Sequence, residues 1–337
     1  MDKIKIDYLS HPSIGFNQSG MRTQIDTLFD FFEKSDLVNV EMYDIWENNN
    51  PNIIHYFGMG EGMLSVLQNH KHNGAKIICS PNHWPLRSRV DRFLMNFNFK
   101  NVIYTNRATK SFLIKASDLF IVNSIAEKEK FTSTYKIDEK RIKVIHNSYG
   151  LEPVLIKEDL FGEKYNINYP YALMAGHLGS KRKNQLPVIK CWKSTYPDLY
   201  ILGGYSPTAY GKECMKLVNE KNNVHFLGFE SNHNILESAY QNCELFISPG
   251  LIETPSLSAF RALINGAKVC STNFGGAPNE YFDNNVKYFN PFDENEIANT
   301  IDLCFSVDKW DINHIDLKRF SNESICHEYG KTYLNLF

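Results

Sequence analysis

The chain has 337 residues, enough for two domains of ordinary size, each with its own core. A hydrophobic content of 43% and a charged content of 22% are those of a soluble globular protein, and a formal net charge of -2 argues against a dedicated nucleic-acid binder, whose footprint is basic. The opening residues MDKIKIDYLS lack the apolar core of a signal peptide, and no apolar run reaches membrane-spanning length. Seven scattered cysteines without a C-x-x-C pair read as reduced core thiols of a cytosolic protein.

In chain order, β-rich runs are predicted at KIKIDYL, NVEMYDI, NIIHYFG, KIICS, LFIVNS and IKVIH, with helical spacing between them at MRTQIDTLFDFFEK and AEKEKFTSTY. The polar, irregular stretch SYGLEPVLIKEDLFGEKYNINYP then separates two halves. The second half repeats the alternation. Its strands are YALMAG, LYILGG, NVHFLGF, LFISPG and KVCST, and its helices are NQLPVIKCWKS, YGKECMKLVNEK, NILESAYQN and SLSAFRALIN. Strands alternating with helices imply right-handed crossovers and mostly parallel sheets. The fold class is therefore α/β, with two Rossmann-like doubly wound domains. Such domains bind ligands at the carboxyl edges of their sheets, here expected to face one another across a cleft. The last stretch, RFSNESICHEYGKTYLNLF, has Phe320, Ile325, Tyr329 and Tyr333 near helical spacing, which reads as a terminal amphipathic helix on the second domain.

Two groups of residues stand at strand-to-helix junctions of the second half. Arg182 and Lys183 follow YALMAGHLGS, where a helix N-terminus adds partial positive charge; they suit a developing anion, or form an ordinary solvated basic loop. Glu253 follows FISPGLI and precedes a helix; it suits hydroxyl recognition, or is a helix-end charge favoured by the macrodipole.

The segment ETPSLSAFRALINGAKV resembles the donor-site signature of glycosyltransferase family 4, a group of two-domain GT-B sugar transferases. Glu253, Leu257, Ala262, Leu263 and Gly266 fall in register with it. Further landmarks follow in order. Ala116–Ser124 is similar to the family's "AD-x-vi-x-x-S" strand, and Ile145-His146-Asn147 to its linker. Ala175-Gly176 with Arg182-Lys183-Asn184-Gln185 is similar to its glycine strand and phosphate loop. Leu202-Gly203-Gly204, Phe226-Leu227-Gly228, Gly275-Gly276-Ala277-Pro278 and the closing FSNESICHEY complete the set. The likeness covers most of the chain, densely over 116–282.

The resemblance implies a GT-B fold. Residues 1–155 would form an acceptor-side domain, completed by a C-terminal helix over 321–337 that crosses back onto it, and residues 156–320 a nucleotide-sugar-binding domain. It implies transfer from a nucleotide-sugar to a glycan or lipid-linked glycan acceptor in surface polysaccharide biosynthesis, with retention and in the cytoplasm. Glu253 would orient the sugar and Lys183 and Arg182 would stabilise the departing diphosphate. His83, with Asn82 as its one-residue alternative, would contact sugar or acceptor. Gly20, Gly176, His177, Gly228, Thr254, Pro255, Ser256, Leu257 and Arg261 would line the donor. The family's second glutamate, eight residues after the first, is Arg261 here. Eight residues return to the same helix face, but arginine accepts no hydrogen bonds. Arg261 therefore binds a phosphate or carboxylated sugar, pairs with an acid such as Glu280, or marks a degenerate site.

Residues 84–115 interleave basic and apolar side chains, which suits an anionic membrane surface at its inner face or a lipid-diphosphate acceptor, or else an ordinary helix with a solvated basic face. No Asp-x-Asp, clustered metal ligands, G-x-S-x-G or P-loop occurs, so no metal and no cofactor is expected. Two other readings remain: a nucleotide-sugar epimerase of the same fold, and a non-catalytic sugar-binding or partner protein.

Overall fold

The structure is a computed structural model that describes residues 3–11, 20–47, 50–60, 63–82, 84, 106–150, 155–167, 169–253, 255–307 and 316–337. The chain divides into two compact units, Met1–Leu151 with Lys318–Phe337, and Glu152–Leu317.

The first unit runs β1 (Lys5–Ser10), α1 (Gly20–Glu33), β2 (Asn39–Met42), β3 (Ile53–Phe57), α2 (Leu64–His72), β4 (Lys76–Ser80), α3 (Asn106–Ala116), β5 (Leu119–Val122), α4 (Ile125–Tyr135) and β6 (Ile142–Val144). Its six strands are all parallel, in the order β2-β1-β3-β4-β5-β6. Strands covered on both faces read as continuous apolar runs, and IIHYF of β3 is buried at every position. One face packs Ile6, Tyr8, Ile53 and Phe57 against Ile25, Leu28 and Phe32 of α1. The other packs Leu9, Ile54 and Ile77 against Leu67, Leu113 and Phe131. Ser124 caps α4 by accepting the Glu127 N–H at 3.0 Å, while the Glu127 carboxylate accepts the Asn123 N–H at 2.8 Å. Strand β2 stops at Met42 although the alternation continues to Ile45, because the Asp44 carboxylate accepts the Trp46 N–H at 2.9 Å and turns the chain.

The second unit runs α5 (Leu160–Tyr165), β7 (Tyr171–Ala175), a 3-10 turn over Lys181–Lys183, α6 (Gln185–Cys191), β8 (Asp198–Leu202), α7 (Ala209–Glu220), β9 (Val224–Gly228), α8 (His233–Asn242), β10 (Leu245–Ser248), α9 (Leu257–Ile264), β11 (Lys268–Thr272), α10 (Ala277–Phe282), β12 (Lys287–Phe289) and α11 (Glu294–Ser306). These strands are also parallel, in the order β12-β11-β10-β7-β8-β9. The chain starts in the middle at β7, winds outward to β9, and returns to the other side at β10. The winding direction therefore reverses between β7 and β10, and in such sheets that reversal opens a crevice at the carboxyl ends. Trp192 anchors the core beneath it and donates its indole N–H to the Pro197 carbonyl at 3.0 Å.

The chain ends in α12 (Asn322–Leu334), whose Ile325, Cys326, Tyr329 and Tyr333 join α1 in the core of the first sheet. The spacing alone reads this helix as an addition to the second domain, yet its stripe is buried in the first unit. Its hydroxyls explain part of the choice. Tyr333 Oη meets His55 Nδ1 at 2.8 Å and Tyr8 Oη at 3.0 Å, and His55 Nε2 meets Ser80 Oγ at 2.8 Å. Gln24 donates to Tyr329 Oη at 2.9 Å. Complete burial pushes the His55 pKa down to about 3, so the ring is neutral and the network is an uncharged one.

Candidate functional site

Two loops frame the reversal of the second sheet: residues 176–184 after β7 and residues 249–256 after β10. Glycines clear space beside the first of them, at the exit of β8. Gly203 has φ +142, and a Cβ there would fall 2.2 Å from the Gly176 carbonyl oxygen. The loops are joined through their backbones, the Leu251 N–H donating to the Arg182 carbonyl at 2.8 Å.

Their side chains then meet. Lys183 Nζ lies 3.2 Å from Glu253 Oε1, an ion pair across 70 residues of chain. Glu253 is 4% exposed, whereas the Lys183 side chain keeps 25%. The lysine stem crosses Gly176, where a Cβ would sit 3.2 Å from its Cδ. The glutamate folds over Gly250, where a Cβ would sit 2.2 Å from Oε1. Arg182 is exposed and directs Nη1 toward the Ile252 carbonyl at 3.4 Å. Asn184, in the left-handed region at φ 49, donates to the Pro291 carbonyl at 2.8 Å. Gln185 donates to the Gly176 carbonyl at 3.1 Å. Ser256 caps α9 by accepting the Ala259 N–H at 3.4 Å, and Ser248 Oγ donates to Ser256 Oγ at 2.9 Å.

The structure thus gathers Gly176, Arg182, Lys183, Glu253, Pro255, Ser256 and Leu257 at one sheet edge. His177 is exposed beside them, its Nε2 3.2 Å from Ser206 Oγ. Gly228 closes β9, its carbonyl accepting the Gly203 N–H at 2.7 Å. Gly20 opens α1 in the first unit and is exposed. His83, Thr254 and residues 85–105 of the basic-apolar segment lie outside the described residues. Asn82 is described and committed: it donates to Gln24 Oε1 at 2.9 Å and accepts from Asn123 at 2.6 Å.

Arg261 meets an acid that the sequence reading did not single out. Its Nε donates to Glu237 Oε1 at 2.8 Å, its Nη2 reaches the same oxygen, and Asn265 holds Glu237 Oε2 at 3.1 Å. Glu237 is fully buried on α8, while the Arg261 side chain retains 12% exposure. The carboxylate that receives these donors is Glu237, an acid beyond the Glu280 that the sequence offers. The signal lay in NILESAYQN, where an acid shares a helix with the buried Ala239 and Tyr240 and therefore needs a partner. Burial, with the Arg261 charge added, lowers the pKa of neighbouring His233.

Among the described residues no helix is long and apolar enough to cross a membrane, and no group of three or more His, Cys, Asp or Glu side chains is placed to hold a metal ion. All seven cysteines are free thiols.

Comparison with known proteins gives this arrangement a context. The solved structure of Anabaena HepE in complex with UDP and glucose is similar with a TM-score of 0.73 and 16% identity, covering 98% of this chain and 100% of that one. The lipopolysaccharide outer core galactosyltransferase WaaB is similar at TM-score 0.70 and 15% identity over 99% and 100%. A glycosyltransferase from Rickettsia africae is similar at TM-score 0.69 and 18% identity over 99% and 98%. At these identities the likeness shows the fold, the two-domain α/β GT-B fold. No curated protein matches the sequence. The family model described as Glycosyltransferase Family 4 matches residues 29–152, and the one described as Glycosyl transferases group 1 matches residues 169–306. The two models match successive parts of the chain, a Glycosyltransferase Family 4 region followed by a Glycosyl transferases group 1 region.

Proposed function

We propose that this chain transfers a hexose-type sugar from a nucleotide-sugar donor to a glycan or lipid-linked glycan acceptor, with retention of configuration, in surface polysaccharide biosynthesis. The observation that carries the reading is the Lys183–Glu253 pair, 3.2 Å apart at the winding reversal of the second sheet. The bond from the anomeric carbon to the diphosphate breaks, and a bond to the acceptor oxygen forms. The acceptor proton passes to the departing phosphate. Lys183 and Arg182 stabilise the negative charge that develops there, helped by the N-terminus of α9. Glu253 receives sugar hydroxyls. Gly176, His177, Gly228, Thr254, Pro255, Ser256 and Leu257 line the donor.

The solved complexes of HepE with UDP and with UDP-glucose support the donor class, and WaaB supports a glycan acceptor. Residues 1–155 with the helix at 321–337 take the acceptor, residues 156–320 take the donor, and residues 84–115 give peripheral contact with the inner membrane face. Arg261 stands where the family's second glutamate would, and its bond to Glu237 favours a structural role for it. Transfer proceeds without a metal, so excess EDTA leaves it unchanged, and an absolute need for Mn²⁺ or Mg²⁺ would show that the diphosphate is neutralised in another way.

Measuring nucleotide release with and without a glycan acceptor tests the reading. A transferase releases nucleotide when acceptor is present and forms a product with the donor's anomeric configuration. An isomerised donor formed without acceptor would mark an epimerase. Absence of both reactions with a bound nucleotide-sugar would mark a sugar-binding module.

A further inference from the structure

We infer that Lys183 and Glu253 form a counter-ion switch: a nucleoside diphosphate captures the Lys183 ammonium and so releases the Glu253 carboxylate to receive the sugar. The inference rests on the reading of this edge as a nucleotide-sugar site, and it adds an order to recognition within it.

The geometry supplies each part. The ammonium and the carboxylate hold one another at 3.2 Å, so each charge is compensated by the other while the pair persists. They are unequally enclosed: the Glu253 side chain is 5% exposed and that of Lys183 25%. A ligand from solvent therefore reaches the lysine first. A diphosphate brings more than one negative charge and several acceptor oxygens, where Glu253 offers a single charge, so it out-competes the carboxylate for the ammonium. Glu253 then stands nearly buried without its counter-ion, which is costly unless other donors replace it. The hydroxyls of a sugar on that diphosphate are such donors. A free sugar, arriving without a diphosphate, meets a carboxylate whose charge is already compensated by Lys183 and which accepts its hydroxyls more weakly.

The backbone is arranged to let the side chains exchange while the loops stay in place. The bond from the Leu251 N–H to the Arg182 carbonyl, 2.8 Å, ties the loops independently of the ion pair. Gly176 and Gly250 leave the slots in which the lysine stem and the glutamate lie.

Calorimetric titration of UDP, GDP and ADP into the full chain tests the switch, using the tightest of the three for the variants. Glu253→Gln keeps the shape and removes the competing charge, so it should tighten diphosphate binding by about threefold to tenfold, the scale of losing a partly buried ionic competitor. In a Lys183→Met background the same replacement should change affinity by less than about twofold. Gly250→Ala is the second variant, because its Cβ displaces the Glu253 carboxylate while leaving both charges in the chain. It should tighten binding in the same direction, and it carries the comparison should thermal melting show that Glu253→Gln does not fold. Glucose and galactose, titrated with and without saturating diphosphate, should bind more tightly when it is present. Unchanged or weaker diphosphate binding in a folded Glu253→Gln or Gly250→Ala variant overturns the switch while leaving the donor site standing. Failure of the wild type to bind any of the three nucleotides overturns the donor-site reading and the switch together.

Discussion

Each unit carries six parallel strands and a cluster of buried polar side chains, but the two clusters are made of different chemistry. In the first, His55, Tyr8, Tyr333, Ser80, Tyr329 and Gln24 satisfy one another as neutral groups; burial lowers the pKa of His55 and raises those of the tyrosines. In the second, Lys183 pairs with Glu253 and Arg261 with Glu237. Neutral networks can be enclosed completely once every member has a partner, and this one fastens the returning helix α12 to its sheet. Ion pairs bear a larger desolvation cost, and here the cation of each pair keeps some contact with solvent. A cation with access to solvent can change partners. The first cluster is therefore a fastening and the Lys183–Glu253 pair, as we propose, a binding device, while Arg261–Glu237 lies between the two.

Four substitutions would break or sharpen that contrast. Glu237→Ala removes the buried carboxylate that receives Arg261 Nε and the Asn265 amide, so chemical denaturation should show a loss of about 3–5 kcal/mol. A loss under about 1 kcal/mol would mean that the pair is a surface contact. Lys183→Ala should lower turnover by roughly 10²–10³-fold with folding intact, the effect of removing one preorganised donor from a developing charge. Unchanged turnover would remove Lys183 from the site.

Asp7 is the exception within the first unit, a fully buried carboxyl whose oxygens have no hydrogen-bond partner among the described residues. Burial raises its pKa to about 6 from 3.8. The folded state then holds this proton more tightly than the unfolded chain, so stability falls as pH rises from near 4 to near 6 and stays reduced above that. Asp7→Asn should thus stabilise the protein by about 2–3 kcal/mol at pH 7.5 and by close to nothing at pH 4, as read from paired urea melts. Equal effects at both values would show that Asp7 stays ionised in the fold. The smallest change is Tyr333→Phe, which leaves His55 Nδ1 and Tyr8 Oη without a shared hydroxyl and should cost about 1–2 kcal/mol. No measurable cost would mean that α12 is held by its apolar stripe alone.

Much of the architecture could be read from the residues because parallel strands buried on both faces leave continuous apolar runs; IIHYF and LFIS are examples. Strand ends were harder to place, as the Asp44 turn after β2 illustrates, since a single carboxylate-to-backbone bond decides where the extended chain stops. Lys183 and Glu253 were both identified through a family likeness, yet their meeting could not be read from the chain. It depends on β10 returning to lie beside β7, a tertiary fact with no local signature. Glu237 was passed over for a related reason: an acid in a short amphipathic helix looks solvent-facing until its neighbours show which side is buried. The docking of α12 on the first domain is implied by the family likeness but not by its own spacing, because its tyrosines find their partners more than 270 residues away in the chain.

The most direct test of the account is the binding of a nucleoside diphosphate at the carboxyl edge of the second sheet. Calorimetry with UDP, GDP and ADP should show one of them binding at one site per chain. That binding should weaken by about tenfold or more in Lys183→Ala, equivalent to about 1.4 kcal/mol, in a variant that still folds cooperatively but melts at a lower temperature because Glu253 loses its counter-ion. Diphosphate binding of equal strength in wild type and a folded Lys183→Ala variant would contradict the account, because the nucleotide would then be held somewhere other than beside Lys183 and Glu253.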